Sequence, residues 1–165
     1  MLTHNIASLS LPPSKWDRYF FNLAHVSAQM SKDPSSKCGS VIVRPNNTVA
    51  SMGWNGFPRG VNDAPELYAD RNEKYPRVVH AEMNAILAAR EPLTGYSLYV
   101  TPMPPCARCA SAIIQSGISR VAFLAPAEIP DRWCDEMRIT AEMFEQADIR
   151  FVWLGYPNVE MEQAA

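Results

Sequence analysis

Residues 104–117 read PPCARCASAIIQSG. Two cysteines stand three apart, a proline pair precedes them, and the run after them suits a helix that Gly117 would end. This spacing puts Cys106 and Cys109 on one face of a helix's first turn. The free N–H groups there favour thiolate over thiol, so the pair suits a metal ion. Two other readings compete. A redox pair would follow the first strand of a thioredoxin-like fold, whereas this one follows the third strand. Two ordinary buried thiols are the plain alternative, because cysteine is among the most buried residue types. The choice depends on whether the chain supplies a third ligand.

Working outward, SLYVT (97–101) precedes the motif as a strand and HAEMNAILAAR (80–90) as a helix. After it come a strand RVAFLA (120–125), a helix DRWCDEMRITAEMFEQA (131–147) with Trp133, Met137, Thr140, Ala141 and Phe144 on one side, and a last strand IRFVWL (149–154). Nearer the N-terminus, GSVIVR (39–44) and TVASMGW (48–54) flank Pro45-Asn46-Asn47, a hairpin signature. Ser14 can cap a first helix whose apolar stripe is Trp16, Tyr19, Phe20, Leu23, Ser27 and Met30. Residues 1–13 are expected to be a loose leader. The stretch from Asn55 to Val79 is too long for an idle connection, and a short helix is expected near Asp63, Pro65 and Glu66. The order α-β-β-α-β-α-β-α-β predicts one α/β domain over 1–165. It would be a three-layer α-β-α arrangement on a five-stranded mixed sheet, with the first two strands antiparallel.

The chain has three histidines. His4 sits in the leader and His25 within the first helix. His80 opens the helix before the third strand. In β-α-β units, successive helix starts share the sheet edge beyond the carboxyl ends of the strands, where open α/β sheets hold ligands. His80, Cys106 and Cys109 can therefore meet. Alone, His80 would read as a capping residue; beside the cysteine pair it reads as a ligand. Three protein ligands and one position for water is the pattern of a catalytic zinc. Glu82, two residues on, does not share the face of His80. It approaches from another direction, as a proton carrier must. Its plain alternative is a first-turn glutamate favoured by the helix dipole.

Composition excludes several classes. The net charge of −2 over 165 residues provides no broad basic field for a long nucleic acid, although a small anionic ligand needs only a few local cations. No apolar run reaches the roughly 18 residues of a membrane span. The start MLTHNIASLSLPPSKW lacks the basic end and apolar core of a secretory signal. Cys38, Cys106, Cys109 and Cys134 form no disulfide framework, which points to a reducing, cytoplasmic setting.

HAE (80–82) followed by PCARC (105–109) is similar to the signature of zinc-dependent deaminases. Four longer stretches resemble the deoxycytidylate deaminase branch: MSKDPSSKCGSVIV (30–43), GWNGFPRGV (53–61), HAEMNAI (80–86) and LYVTPMPPCARCASAIIQSGI (98–118). The resemblance spans about residues 15–125. Beyond 126 only the helix–strand outline matches. Cys38 departs from the small aliphatic residue usual there, and Met103-Pro104 also differ from the pattern.

The resemblance implies a cytidine deaminase-like fold with one Zn2+ on His80, Cys106 and Cys109. It implies hydrolytic deamination of dCMP to dUMP, a precursor of dTMP, with Glu82 as the proton carrier. It places Asn55 at the sugar and base, and Ser31 and Ala81 beside the substrate. Lys32, Arg59, Arg71, Lys74, Arg77, Arg90 and Arg108 are candidates for the phosphate. Lys32 is favoured by the resemblance, and Arg90 and Arg108 because they follow the two ligand-bearing helix starts. The family also implies homo-oligomers, hexamers among them, with dCTP and dTTP as effectors. Two rival readings stay open: a deaminase of another cytosine, nucleoside, purine or tRNA substrate, and a non-catalytic module whose zinc would be closed by four protein ligands.

Overall fold

A computed structural model describes residues 13–124 and 131–154 of the chain. The elements run α1 (Lys15–Ala28), β1 (Gly39–Val43), β2 (Val49–Trp54), α2 (Pro65–Ala69), α3 (Arg71–Arg77), α4 (Ala81–Ala88), β3 (Ser97–Thr101), α5 (Ala107–Gln115), β4 (Arg120–Leu124), α6 (Asp131–Gln146) and β5 (Arg150–Leu154). The sheet order is β2-β1-β3-β4-β5. β1 is antiparallel to both β2 and β3, while β3, β4 and β5 are parallel. This is the expected mixed five-stranded sheet. The two short helices α2 and α3 interrupt the long stretch, where the sequence pointed to one. Residues 1–12 of the expected leader, residue 125 and the side chain of Trp133 lie outside the described residues.

Side-chain alternation along the strands separates two apolar layers. Val41, Val43 and Tyr99 face Phe20, Phe21 and Ala24 of α1. Ile42, Leu98 and Val121 face Ala85 of α4, Ala110 and Ile113 of α5, and Phe144 of α6. Each fully buried large side chain contributes about 1.5–3 kcal/mol. Thr140 and Phe144 of α6 are buried as the periodicity predicts.

The stripe on α1 differs from the expected one. Phe20 and Ser27 are buried, but Trp16, Tyr19 and Met30 are 41%, 51% and 62% exposed. The buried face is instead Asp17, Phe20, Phe21, Ala24, Ser27 and Ala28. The small residues decide this. A Cβ on Gly39 would lie 2.0 Å from the Ala24 carbonyl oxygen and 2.6 Å from the Ala28 nitrogen, so α1 sits directly on the β1 backbone. Only alanine-sized side chains fit that line. Asp17 is drawn in by polar partners: Tyr99 donates to its carboxylate at 2.9 Å and Arg120 at 2.8 Å. Ser14 completes a capping box with it.

α4 is seated on the opposite face in the same manner. A Cβ on Gly53 would stand 2.3 Å from the Ala81 oxygen and 2.4 Å from the Ala85 nitrogen. Ser40 and Ser51 donate hydroxyl hydrogen bonds to the carbonyls of Ala81 and Ala85, both at 2.7 Å. The start of α4 is thereby held to β1 and β2 at backbone distance.

Candidate functional site

β2 leads through the long stretch to α4, and β3 leads to α5. The first turns of both helices therefore lie beyond the carboxyl ends of these strands, as the β-α-β argument requires. His80 is the N-cap of α4 and Cys106 the N-cap of α5. His80 Nδ1 is 3.5 Å from Cys106 Sγ and 3.4 Å from Cys109 Sγ. The three donor atoms all lie within 4.8 Å of one another, and among the described residues no fourth His, Cys, Asp or Glu joins them. Zinc bond lengths of about 2.3 Å to sulfur and 2.0–2.1 Å to nitrogen give a tetrahedral S–N edge of about 3.5 Å. Donor chemistry and spacing therefore both fit a zinc ion, bound through Nδ1 of His80.

The protonation states of the trio are coupled. The Cys106 thiol is drawn down to about 3, first by the hydrogen bond from Cys109 and then by that from His80. Cys109 is pushed upward, first by that same bond and then by burial. Without a metal, the pair thus holds one thiolate, on Cys106. Its hydrogen bond also raises the His80 imidazole above its ordinary value. A metal ligand set needs these protons gone, so zinc binding displaces them.

Glu82 stands in the first turn of α4, buried and outside the donor trio. Burial, the largest influence, raises its carboxyl above the usual range, and its charge is felt by His80, Cys109 and Cys38. Cys38 is itself pushed up to about 12, by burial first and by Glu82 second. A buried carboxyl with a raised proton affinity, beside a donor set that is open at His80, suits a group that takes up and returns a proton.

The other expected site residues divide into two groups. Ser31 and Asn55 are buried and hydrogen-bonded to each other just after β2, and Ala81 is buried at the start of α4. The Asn55 side chain accepts from the Cys38 N–H at 2.8 Å and donates to the Ser36 carbonyl at 2.8 Å. Ser31 donates to the Asn55 carbonyl at 2.8 Å. Lys32 is exposed and ion-paired with Asp63 at 2.6 Å. Arg108 is an exposed residue between the two cysteines. Arg90 does not share the site. It follows the C-terminal end of α4, about 12 Å along the axis from His80, where it lines a recess of about 220 Å³ with Arg44, Ala50, Ala88 and Glu91. A residue that follows a ligand-bearing helix start in sequence can still lie at the other end of that helix.

Lys74 is not a free cation for phosphate either. It is buried against Asp33, with Nζ at 2.8 and 3.0 Å from the carboxylate oxygens. The pair's burial, and the Ser40 and Ser51 hydroxyls on α4, went unread in the sequence. Asp33 lies within the quoted MSKDPSSKCG stretch, but nothing there marks its partner 41 residues away.

Comparison with known proteins agrees with this geometry. Residues 14–125 match the cytidine and deoxycytidylate deaminase zinc-binding region. The chain is 39% identical over 145 residues to human deoxycytidylate deaminase, covering 83% of this chain and 78% of that one. It is 41% identical over 144 residues to an uncharacterized deaminase of Aliivibrio fischeri, covering 86% and 95% respectively. The dCMP deaminase of cyanophage S-TIM5, solved in complex with dCMP and dUMP, has the same fold, with a TM-score of 0.67 at 25% identity over 83% of this chain and 95% of that one. With residues 14–125 matching that region and this degree of identity to a deoxycytidylate deaminase over most of both chains, the chain belongs to the zinc-binding cytidine and deoxycytidylate deaminase family.

Proposed function

We propose that the protein deaminates dCMP hydrolytically to dUMP. The observation that carries this is the meeting of His80, Cys106 and Cys109 beside a buried Glu82, in a chain 39% identical over 145 residues to human deoxycytidylate deaminase. A zinc ion on the trio supplies a Lewis acid that makes water nucleophilic near neutral pH. Glu82 takes the proton of the water that attacks C4 of the cytosine. It passes that proton to N3, then takes the remaining hydroxyl proton from the oxygen on C4 and gives it to the amino group, so that ammonia leaves and a carbonyl remains. Its raised proton affinity suits both halves of this exchange.

Asn55 and Ser31 shape the wall beside the nucleoside, with Ala81 next to Glu82. Lys32 and Arg108 are the exposed cations offered to the phosphate. Assembly into homo-oligomers and control by dCTP and dTTP are further parts of the proposal, resting on family resemblance. Cysteines that form no disulfide among the described residues support a reducing, cytoplasmic setting, and no helix among those residues is long and apolar enough to cross a membrane.

The decisive experiment is ammonia release from dCMP, CMP, 5-substituted dCMP, deoxycytidine and guanine, with and without dCTP or dTTP. The expected result is a kcat/KM for dCMP that exceeds the others. Preference for deoxycytidine or guanine would overturn the substrate assignment, and no turnover by the zinc-loaded protein would favour a binding module.

A further inference from the structure

The stretch between Asn55 and His80 begins and ends at the site. At its base, Gly56 and Val79 form an isolated bridge, with hydrogen bonds of 3.1 and 2.8 Å. Its outer part has little apolar anchorage. Tyr68 is the one buried residue of α2, and it stacks on Phe57 of the same stretch at 4.2 Å. Lys74 is the one buried residue of α3. What docks α3 onto the rest of the protein is thus an ammonium group, which reaches Asp33 at 2.8 Å and Ser35 at 2.7 Å.

Burying this charge is costly unless it is paired. The partner is well prepared. Burial pushes the Asp33 carboxyl up, but hydrogen bonds from Lys74, Ser35 and Ser36 outweigh it and hold the group below its ordinary value. Asp33 also lies 3.4 Å from Asn55 Nδ2, and Ser31 links the same loop to the Asn55 carbonyl. A second tie, Lys32 to Asp63, joins the same two segments but is 67% and 36% exposed, so water screens it.

We propose that Asp33 and Lys74 are positioning residues: a buried clamp that holds residues 57–78 against loop 31–38 and thereby sets Asn55 and the lead into His80. The kinetic consequence rests on the deaminase reading; the structural one does not. Lys74→Met keeps the stem and removes the charge. Measured well below its melting temperature, this variant is expected to exchange amide hydrogens in 57–78 at least about tenfold faster than wild type, with β1, β3 and β4 unchanged. Fully zinc-loaded, it is expected to lose on the order of 100-fold in kcat/KM for dCMP, mostly through KM. Ser35→Ala removes one partner of Lys74 at an exposed position and is expected to give the same pattern at smaller amplitude, which keeps the test open if Lys74→Met fails to fold. A pair that serves stability alone would lower the melting temperature, leave exchange in 57–78 no faster than in the sheet, and keep KM within about twofold; that result overturns the proposal. Should the wild type not deaminate dCMP, the exchange measurement alone decides the clamp.

Discussion

The two faces of the sheet use one packing device for different ends. On one face Gly39 seats α1, and on the other Gly53 seats α4; in each case the helix backbone rests where a side chain would otherwise stand. The α1 face is satisfied throughout. Its buried carboxylate, Asp17, has Ser14, Tyr99 and Arg120 as partners, its buried Ser27 donates to the Gly53 carbonyl at 2.9 Å, and the rest is apolar. The α4 face ends in groups that compete for protons: two thiols, an imidazole and a carboxyl within one another's field. Close seating stabilises the first face. On the second it also holds reactive groups in a set that they would not choose by themselves.

Removing the reactive function without the seating gives the largest effect. Glu82→Gln keeps the size of the side chain and cannot carry the proton. Turnover should fall by about 10²–10⁴-fold or more, with zinc content and melting temperature close to wild type. Retention of more than a few per cent of activity would show that another group moves the proton. Next in size is loss of a ligand. Cys109→Ala leaves two donors, and the bound zinc recovered after gel filtration should drop from about one per chain to a small fraction of that. The same measurement on the wild type should show zinc lost as pH falls. The raised proton affinities of His80 and Cys109 favour their protonated, non-ligating forms, so protons compete with the metal for these donors. Zinc content unchanged down to the acid-unfolding transition would contradict this competition.

The α4 face was the more legible in the sequence, and the reason is physical. Metal ligation needs particular elements at particular intervals, so HAE and PCARC announce themselves before any packing is known. Helix starts need only local signals, and Gly117 at a φ of 82° ends α5 as the sequence suggests. The orientation of α1 depends instead on what it meets. Its own periodicity favoured Trp16 and Tyr19, but the bare backbone at Gly39, in another element, admits only Ala24 and Ala28. Lys74 is hidden for a similar reason. A lysine in a polar stretch reads as solvated until the fold brings Asp33 across 41 positions to meet it. Arg90 lies past the far end of α4 from His80, and chain order does not say which end of a helix a residue reaches.

Exchanging the two glycines separates seating from positioning. Gly39→Ala and Gly53→Ala both drive a Cβ into helix backbone, which cannot yield as a flexible side chain would. Each should cost about 1–3 kcal/mol in urea unfolding, and somewhat more where the helix cannot shift. The two should part company in activity per folded molecule. Gly53→Ala displaces the start of α4 and loosens the Ser40 and Ser51 hydrogen bonds, so it moves His80 and Glu82 directly. Gly39→Ala moves α1, which carries no ligand. At equal stability loss, kcat/KM for dCMP should fall further in Gly53→Ala, by roughly tenfold or more. Equal losses would mean that the α1 face positions the site as strongly as the α4 face does.

The smallest effect is in acid, and it tests whether the two buried aspartates serve the two faces separately. Asp17 and Asp33 are both held below the ordinary value of 3.8. In each case burial is the largest influence and raises the carboxyl, but hydrogen bonds and a nearby cation outweigh it. A carboxyl depressed in the folded state stabilises the fold above its unfolded pKa, and that contribution disappears as pH falls through the lower folded value. Melting curves of Asp17→Asn and of wild type should therefore differ fully near neutrality, by on the order of 1 kcal/mol or more. They should converge only as pH falls below 3.8 and through the depressed folded value, where the wild-type carboxyl is also neutral. Asp33→Asn should show the same convergence. Near neutrality the two should differ at the site: Asp33→Asn raises KM for dCMP, since it frees Lys74 and the segment that Lys74 holds, whereas Asp17→Asn changes stability alone. An equal rise in KM from Asp17→Asn would erase the distinction between the faces, because a carboxylate on the far side of the sheet would then be setting the site as strongly as the one that touches it.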